Sequence, residues 1–346
     1  DLPEREEWNG LKVHRPRFPI LPGLGAANPA LLAKAILPLL RAIRARFAFD
    51  AIDAEFFFPD GPAAVRLGRA LGVPVSIKAR GADIHQWGGA PFCRGQILRA
   101  GREAGRLLAV SEALKRDMTA LGLPDERIRV HYTGVDLARF RPAPDRAAVK
   151  AALGVAGPLF LSVGALIPRK RHHLAIEALA LLPEGALWIA GEGPERARLE
   201  ALIARQGLGE RVRLLGGRSP DELAVIGAAA DVGVLASSSE GLANAWVESL
   251  ACGAPVVAAD IGGARELIDR PEAGRIVAAE PAAIAAAMAE LARAPPEPAA
   301  VWAAAARFTW EANAAALREH LLSLSRSGER GMSKAPLTAP SPNPLP

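Results

Sequence analysis

Apolar residues along the chain fall into short runs separated by longer, mixed stretches. Runs of strand character at 51–56 (AIDAEF), 74–79 (PVSIKA), 106–110 (RLLAV) and 128–132 (IRVHY) alternate with helical spacing near 61–71, 94–103 and 111–121. Strand and helix alternating at this interval predict a parallel α/β sheet. A second series follows at 159–163, 187–190, 212–215, 232–236, 255–259 and 275–277, each run a helix-length apart from the next. This half alone predicts a six-stranded doubly wound sheet. Between the series, RFRPAPDRAAVKAALGVAGP carries several prolines and glycines, which places a domain boundary between residues 140 and 157.

The ends break the pattern. Residues 1–30 are rich in Pro and Gly without periodicity, and no first strand or following glycine-rich turn precedes Asp50, so the N-terminal half reads as incomplete. LLAKAILPLLRAIRARF is a helix candidate with Lys34, Arg41, Arg44 and Arg46 among leucines and isoleucines. It reads either as a core helix kinked at Pro38 with a solvated basic edge, or as a basic amphipathic segment for an anionic membrane surface. From 325 onward, Pro, Ser and Gly dominate with little to bury, which predicts a disordered tail.

Composition narrows the classes. A chain of 346 residues exceeds what one core usually fills, so two domains of roughly 150 residues are expected. No apolar run approaches the roughly 20 residues that span a bilayer, and a soluble, cytoplasmic protein is expected. Cys93 and Cys252 lie far apart, against a disulfide framework and a cysteine metal site. The net charge of +5 suits an anionic partner, but the arginines are dispersed and aromatics sparse. A phosphorylated substrate or anionic lipid therefore fits better than nucleic acid.

In open α/β sheets, ligands bind beyond the carboxyl ends of the strands, where glycine turns and helix N-termini meet phosphate. Three strand ends carry such sequences: GALIPRKRHH after 159–163, GEGPERARL after 187–190, and SSSEGLANAWVE after 232–236. In the last, Gly241 permits a tight turn and a helix starting near Asn244 aims its N-terminus at the crevice. A carboxylate repels phosphate but accepts hydrogen bonds from sugar hydroxyls, so Glu240 and Glu248 read as hydroxyl readers flanking a diphosphate site. The alternative is a loop-exposed charge and a solvated helix residue.

From about 105 to 315, the order and spacing of AVSEALKRDM, TGVDLARFRP, LSVGALIPRKRHHLAIEAL, IAGEGPERARLE, VRLLGG, AADVGVLASSSEGLANAWVESLACGAPVVAADIGGARELI and FTWE resemble the retaining nucleotide-sugar glycosyltransferases of family 4, also called glycosyl transferases group 1. The resemblance implies the GT-B architecture, two Rossmann-like doubly wound parallel-sheet domains facing across a cleft, the first lacking its opening strand or strands. On that pattern residues 1–145 form the acceptor domain, 146–310 the donor domain, 311–325 a helix crossing back, and 326–346 a tail. The resemblance implies that Glu240 contacts the donor sugar and Glu248 the ribose. Lys170 matches the diphosphate-binding lysine. Gly164 opens its loop, Gly191, Glu192 and Gly193 match the turn beside the nucleotide, and Gly217 and Arg218 fall near the base. Gly241, Leu242, Ala243 and Asn244 match the loop facing phosphates and sugar.

Two departures stand out. The family places an arginine where this chain has Ala165, so Arg169 or Arg171 is expected to supply the cation. In the N-domain, Arg80 occupies the usual histidine position, and Arg80 and Asp83 are expected either on the acceptor side or paired as a loop clamp. His85, His172 and His173 lack metal-ligand spacing, no Asp-x-Asp pattern occurs, and no essential metal or cofactor is expected. The implied reaction moves a hexose or similar sugar from a nucleoside diphosphate to an acceptor hydroxyl with retention, in polysaccharide or glycolipid synthesis, on a carbohydrate or lipid-linked acceptor. The competing readings are a GT-B-fold sugar-nucleotide epimerase and a noncatalytic nucleotide-sugar binder.

Overall fold

The computed structural model describes residues 2–20 and 25–328, with side chains described as far as Leu324. Strands β1 (Arg5–Trp8) and β2 (Leu11–His14) form an antiparallel hairpin. Its turn residues Asn9 and Gly10 have φ of 50° and 79°. Two positive φ angles are what a type I′ hairpin turn requires, so Asn-Gly, inside the stretch read as lacking any element, was its signal.

The first sheet holds β3 (Ile52–Ala54), β4 (Val75–Ala79), β5 (Arg106–Ala109) and β6 (Ile128–Val130), all parallel and in sequence order. Every residue of β4 is buried, so both faces of the sheet are covered. Val75, Ile77 and Ala79 share a core with Phe57, Ile97, Leu114 and Met118. On β4, Ser76 and Lys78 alternate with those residues and face away from them. The helix Trp310–Gly328 contacts β4, and its His320 Nε2 lies 2.9 Å from Ser76 Oγ. That helix corrects the expected tail boundary, because backbone assigned to the tail at 326–328 continues the helix. The rest of the expected tail lies outside the described residues.

The second sheet runs β12 (Gly274–Val277), β11 (Val256–Ala259), β10 (Val232–Leu235), β7 (Leu159–Val163), β8 (Ala186–Ala190) and β9 (Val212–Gly216), all parallel. Chain order reverses between β7 and β10, which makes a crevice at their carboxyl ends. Between the two sheets, the segment read as a boundary contains the helix Arg146–Ala152, tied down by Lys150 Nζ to Asp231 Oδ2 at 2.6 Å.

The helix Asn28–Arg44 buries Pro29 and Ala33 and packs Leu32, Ile36, Leu37 and Leu40, partly buried, against the cluster of Ala33, Ala63 and Leu67. It corrects one expectation, that no apolar run approaches bilayer length: Gly25–Arg44 is long and apolar enough, by length and composition, to cross a membrane, and 11% of its most apolar window is buried. Its few basic residues interrupt the run without making it polar.

Candidate functional site

Three loops converge at the switch point. Gly164, after β7, donates its N–H to Ala190 O, and Leu166 N–H reaches Glu192 O at 2.8 Å. Gly191 N–H donates to Gly216 O at 2.9 Å, and Glu192 Oε1 accepts from Gly217 N–H at 3.4 Å. The chains are pressed together: Gly191 has φ of 149°, and a Cβ there would lie 1.9 Å from Gly164 O. The expected nucleotide turn is thus one backbone layer. The Arg218 side chain pairs with Glu222 Oε1 at 3.0 Å and donates to Leu215 O at 2.8 Å, while its backbone follows Gly217 beside that turn.

Lys170 and Glu240 meet in this crevice. Lys170 Nζ lies 2.7 Å from Glu240 Oε1, and Arg169 Nη1 lies 3.2 Å from Glu240 Oε2 and donates to Ser239 O at 2.6 Å. Glu240 is only 8% exposed, so it is not the loop-exposed charge of the alternative reading. Burying a carboxylate in water-poor surroundings requires paired cations, and two are supplied. An ammonium has three donors, so Lys170 retains capacity for an anionic ligand while holding Glu240. Behind it, His172 Nδ1 lies 2.9 Å from Ser162 Oγ, and burial pushes the imidazole down to about 4, so it is neutral near pH 7.

Gly241, Leu242 and Ala243 are buried, and Asn244 opens the helix Asn244–Ala251 with no side chain capping its first turn. Its N-terminus lies at the end of the β10 loop, with Trp246 N–H turned back to Ala243 O at 3.0 Å, and the helix dipole favours an anion there. Glu248, on the same helix, sits beside Phe140, Leu161, Val163, Trp246 and Cys252. Burial raises its carboxyl above the ordinary range, and among the described residues it has no hydrogen-bond or ion-pair partner. A half-buried acceptor of this kind suits a ligand hydroxyl.

Asp83 is fully buried and accepts backbone N–H groups from Phe57 at 2.7 Å, Arg80 at 3.0 Å and Gly81 at 2.8 Å. It cannot contact an acceptor, and it clamps the backbone rather than the Arg80 side chain. Arg80 instead donates its Nε to Glu55 O at 2.8 Å and pairs through Nη2 with the Glu55 carboxylate. Glu55 also holds buried Lys78 at 2.5 Å. Arg80 remains half exposed at the cleft, with Glu55 as an orienting partner that sequence spacing did not single out.

The halves touch at these loops. A Cβ on Gly241 would meet Arg80 O and Val110 Cγ2, each at 2.6 Å. His85 Nδ1 lies 2.6 Å from Ser239 Oγ, and Glu266 Oε2 and Oε1 accept the N–H groups of Glu112 and Ala113 at 2.8 Å each. His85 was considered from sequence only as a metal ligand, and Glu266 not at all. The available signals were the ARGADIH turn and the GGARELI motif. Among the described residues no group of three or more His, Cys, Asp or Glu is placed to hold a metal ion.

The glycosyl transferases group 1 family model matches residues 146–308, and the glycosyltransferase family 4 model matches residues 1–139. A D-inositol 3-phosphate glycosyltransferase of Mycolicibacterium gilvum is 39% identical over 170 residues, covering 46% of this chain and 38% of that protein. A GDP-mannose-dependent alpha-(1-6)-phosphatidylinositol monomannoside mannosyltransferase of Mycolicibacterium smegmatis is 31% identical over 204 residues, 55% of this chain and 53% of that one. The chain thus spans about half or less of the length of these curated relatives. Among solved structures, Anabaena HepE in complex with UDP superposes with a TM-score of 0.74 at 24% identity, covering 83% of this chain and 82% of that one. Sucrose-phosphate synthase of Thermosynechococcus elongatus gives 0.77 at 21%, covering 94% and 87%. At these identities the likeness shows the fold, two-domain α/β of GT-B type.

Proposed function

The chain belongs to the glycosyl transferases group 1 and family 4 glycosyltransferases, and from that premise we propose that it moves a sugar from a nucleoside diphosphate to an acceptor hydroxyl, with retention and without an essential metal. The observation that carries this reading is Lys170 held 2.7 Å from buried Glu240 at the switch point. As the glycosidic bond breaks, negative charge builds on the departing phosphate. Lys170 and the N-terminus of the helix Asn244–Ala251 supply fixed positive potential there, the role a metal ion serves in other enzymes. One such preset donor is worth roughly 2.7–4 kcal/mol of barrier. Glu248 takes the ribose hydroxyls, and the backbone at Gly191–Gly193 and Gly217 lies against the nucleoside. Arg169, shared between Ser239 O and Glu240, stands in for the cation missing at Ala165.

The acceptor side is assigned to the face of the first sheet that carries Arg80, and the acceptor to a carbohydrate or lipid-linked sugar in polysaccharide or glycolipid assembly. Two relatives act, by their names, on inositol phosphate or phosphatidylinositol mannoside, and the helix Asn28–Arg44, apolar with Lys34, Arg41 and Arg44 along it, suits peripheral contact at the inner face of an anionic membrane. Calorimetry with UDP, GDP and their sugar conjugates tests the donor site. Base-selective binding that weakens at least tenfold in Glu248→Ala and Lys170→Ala supports the reading. A folded chain that binds none of them refutes it.

A further inference from the structure

His85 lies at the end of the short helix Ala82–His85, on the first-sheet side of the cleft, and its two ring nitrogens face opposite halves. Nε2 is 2.9 Å from Asp117 Oδ2, on the helix Glu112–Leu121 of the same half. Nδ1 is 2.6 Å from Ser239 Oγ, on the β10 loop of the other. A carboxylate only accepts, so Asp117 takes its hydrogen bond from Nε2–H, while Nδ1 and the Ser239 hydroxyl share the second. Ser239 is tied a second time, its carbonyl accepting from Arg169 Nη1 at 2.6 Å, and the next residue is Glu240. The Asp117–His85–Ser239 chain therefore ends on the segment that carries Glu240 and Gly241, at the point where Gly241 packs against Arg80 O.

We propose that His85 is a positioning residue that latches the 237–241 loop across the closed cleft and so sets the sugar end of the donor site, a role that rests on the donor reading above. The nucleoside end, built from Gly191, Gly217 and Glu248 on the second sheet alone, does not depend on the latch. Binding of the intact sugar nucleotide should depend on it, because the sugar lies beside the Glu240 loop only when that loop is held.

The test compares wild type, His85→Ala, Ser239→Ala and the double variant for binding of UDP and GDP and of the matching sugar nucleotides, with His85→Asn as the conservative replacement. A single hydrogen bond is worth about 0.5–1.5 kcal/mol, so each single variant should weaken the intact donor by about two- to tenfold. Binding of the nucleoside diphosphate alone should stay within about twofold. The double variant should be no weaker than either single, since both remove one interaction, and His85→Asn should recover part of the loss. Additive losses, equal losses for diphosphate and sugar conjugate, or no loss at all would overturn the latch. Wild type that binds no nucleotide overturns the donor reading and the latch with it. It is told apart from failure of the latch alone, in which wild type binds and the variants bind equally well.

Discussion

The Tyr132 hydroxyl donates to Glu266 Oε2 at 2.9 Å, joining the segment just past the last strand of the first sheet to a short helical turn that follows β11 in the second. The same carboxylate accepts the first N–H groups of the helix Glu112–Leu121. Glu266 thus caps a helix belonging to the other half, at the positive end of its dipole. Together with His85–Ser239 and Gly241–Arg80, this contact joins the two halves along one seam.

Tyr132 reports on that junction directly, because it is the only tyrosine in the chain. Burial, and then the hydrogen bond and charge of Glu266, push its hydroxyl up to about 12. Replacing Glu266 by Gln removes the anion but not the burial. Tyrosinate absorbance followed against pH should therefore give a midpoint below that of wild type yet still above the ordinary phenol value. An unchanged midpoint would mean that the two residues do not pair in solution.

Glu248 makes a prediction of the opposite sense for stability and for binding. Its folded carboxyl is raised by burial, so in the window just above the ordinary carboxylate range the folded state holds a proton that the unfolded state has lost. Stability then falls as pH rises through that window, and the ionised side chain remains a cost at neutral pH. Glu248→Gln should raise the thermal midpoint at pH 7, with the gain vanishing below the ordinary carboxylate range, while nucleotide affinity drops about tenfold or more. Melting curves across pH, paired with calorimetry, check both signs. A variant less stable at pH 7 and equally stable in acid would show that Glu248 is a structural charge.

Much of this arrangement was legible because it is local. The six runs from 159 to 277 all became strands, and the loop motifs after β7, β8 and β10 fell at the switch point as their order implied. What sequence spacing could not show was who pairs with whom. Glu240 reads from sequence as a hydroxyl reader at the crevice, but nothing local reveals that Lys170 and Arg169, from a loop about 70 positions earlier, neutralise it. Asp83 looked available to a ligand, whereas its three backbone donors lie in the turn it closes and at Phe57. His85 and Glu266 act through partners about 154 residues away, a distance at which periodicity and spacing carry no signal. The Asn9-Gly10 hairpin, by contrast, carries a purely local signal, its Asn-Gly turn, set among prolines.

Gly241 allows the seam to be opened without touching a charged group. Its Cβ position is occupied by Arg80 O and Val110 Cγ2 from the other half, both at 2.6 Å, and a backbone carbonyl cannot rotate away. Gly241→Ala should therefore leave the second sheet folded but hold the halves apart. Small-angle scattering should show a larger radius of gyration, with turnover lowered by about tenfold or more and nucleoside diphosphate binding nearly unchanged. Wild-type dimensions together with wild-type turnover would count against closure at this point.

Lys170 has two tasks that a pair of variants can separate. It neutralises buried Glu240, and in the proposed reaction it presents a cation to the departing phosphate. Removing one partner of a buried pair leaves a charge poorly compensated, here with Arg169 alone at 3.2 Å, so Lys170→Ala should lower the thermal midpoint. It should also cut kcat by about a hundred- to a thousandfold, the loss typical of one preset donor at a developing anion. Adding Glu240→Gln removes the stranded charge and should restore most of the midpoint. It cannot restore the missing cation, so kcat should stay at or below that of Lys170→Ala. Stability that recovers without rate would place Lys170 in the chemistry, whereas rate and stability recovering together would make it only the structural counter-ion of Glu240.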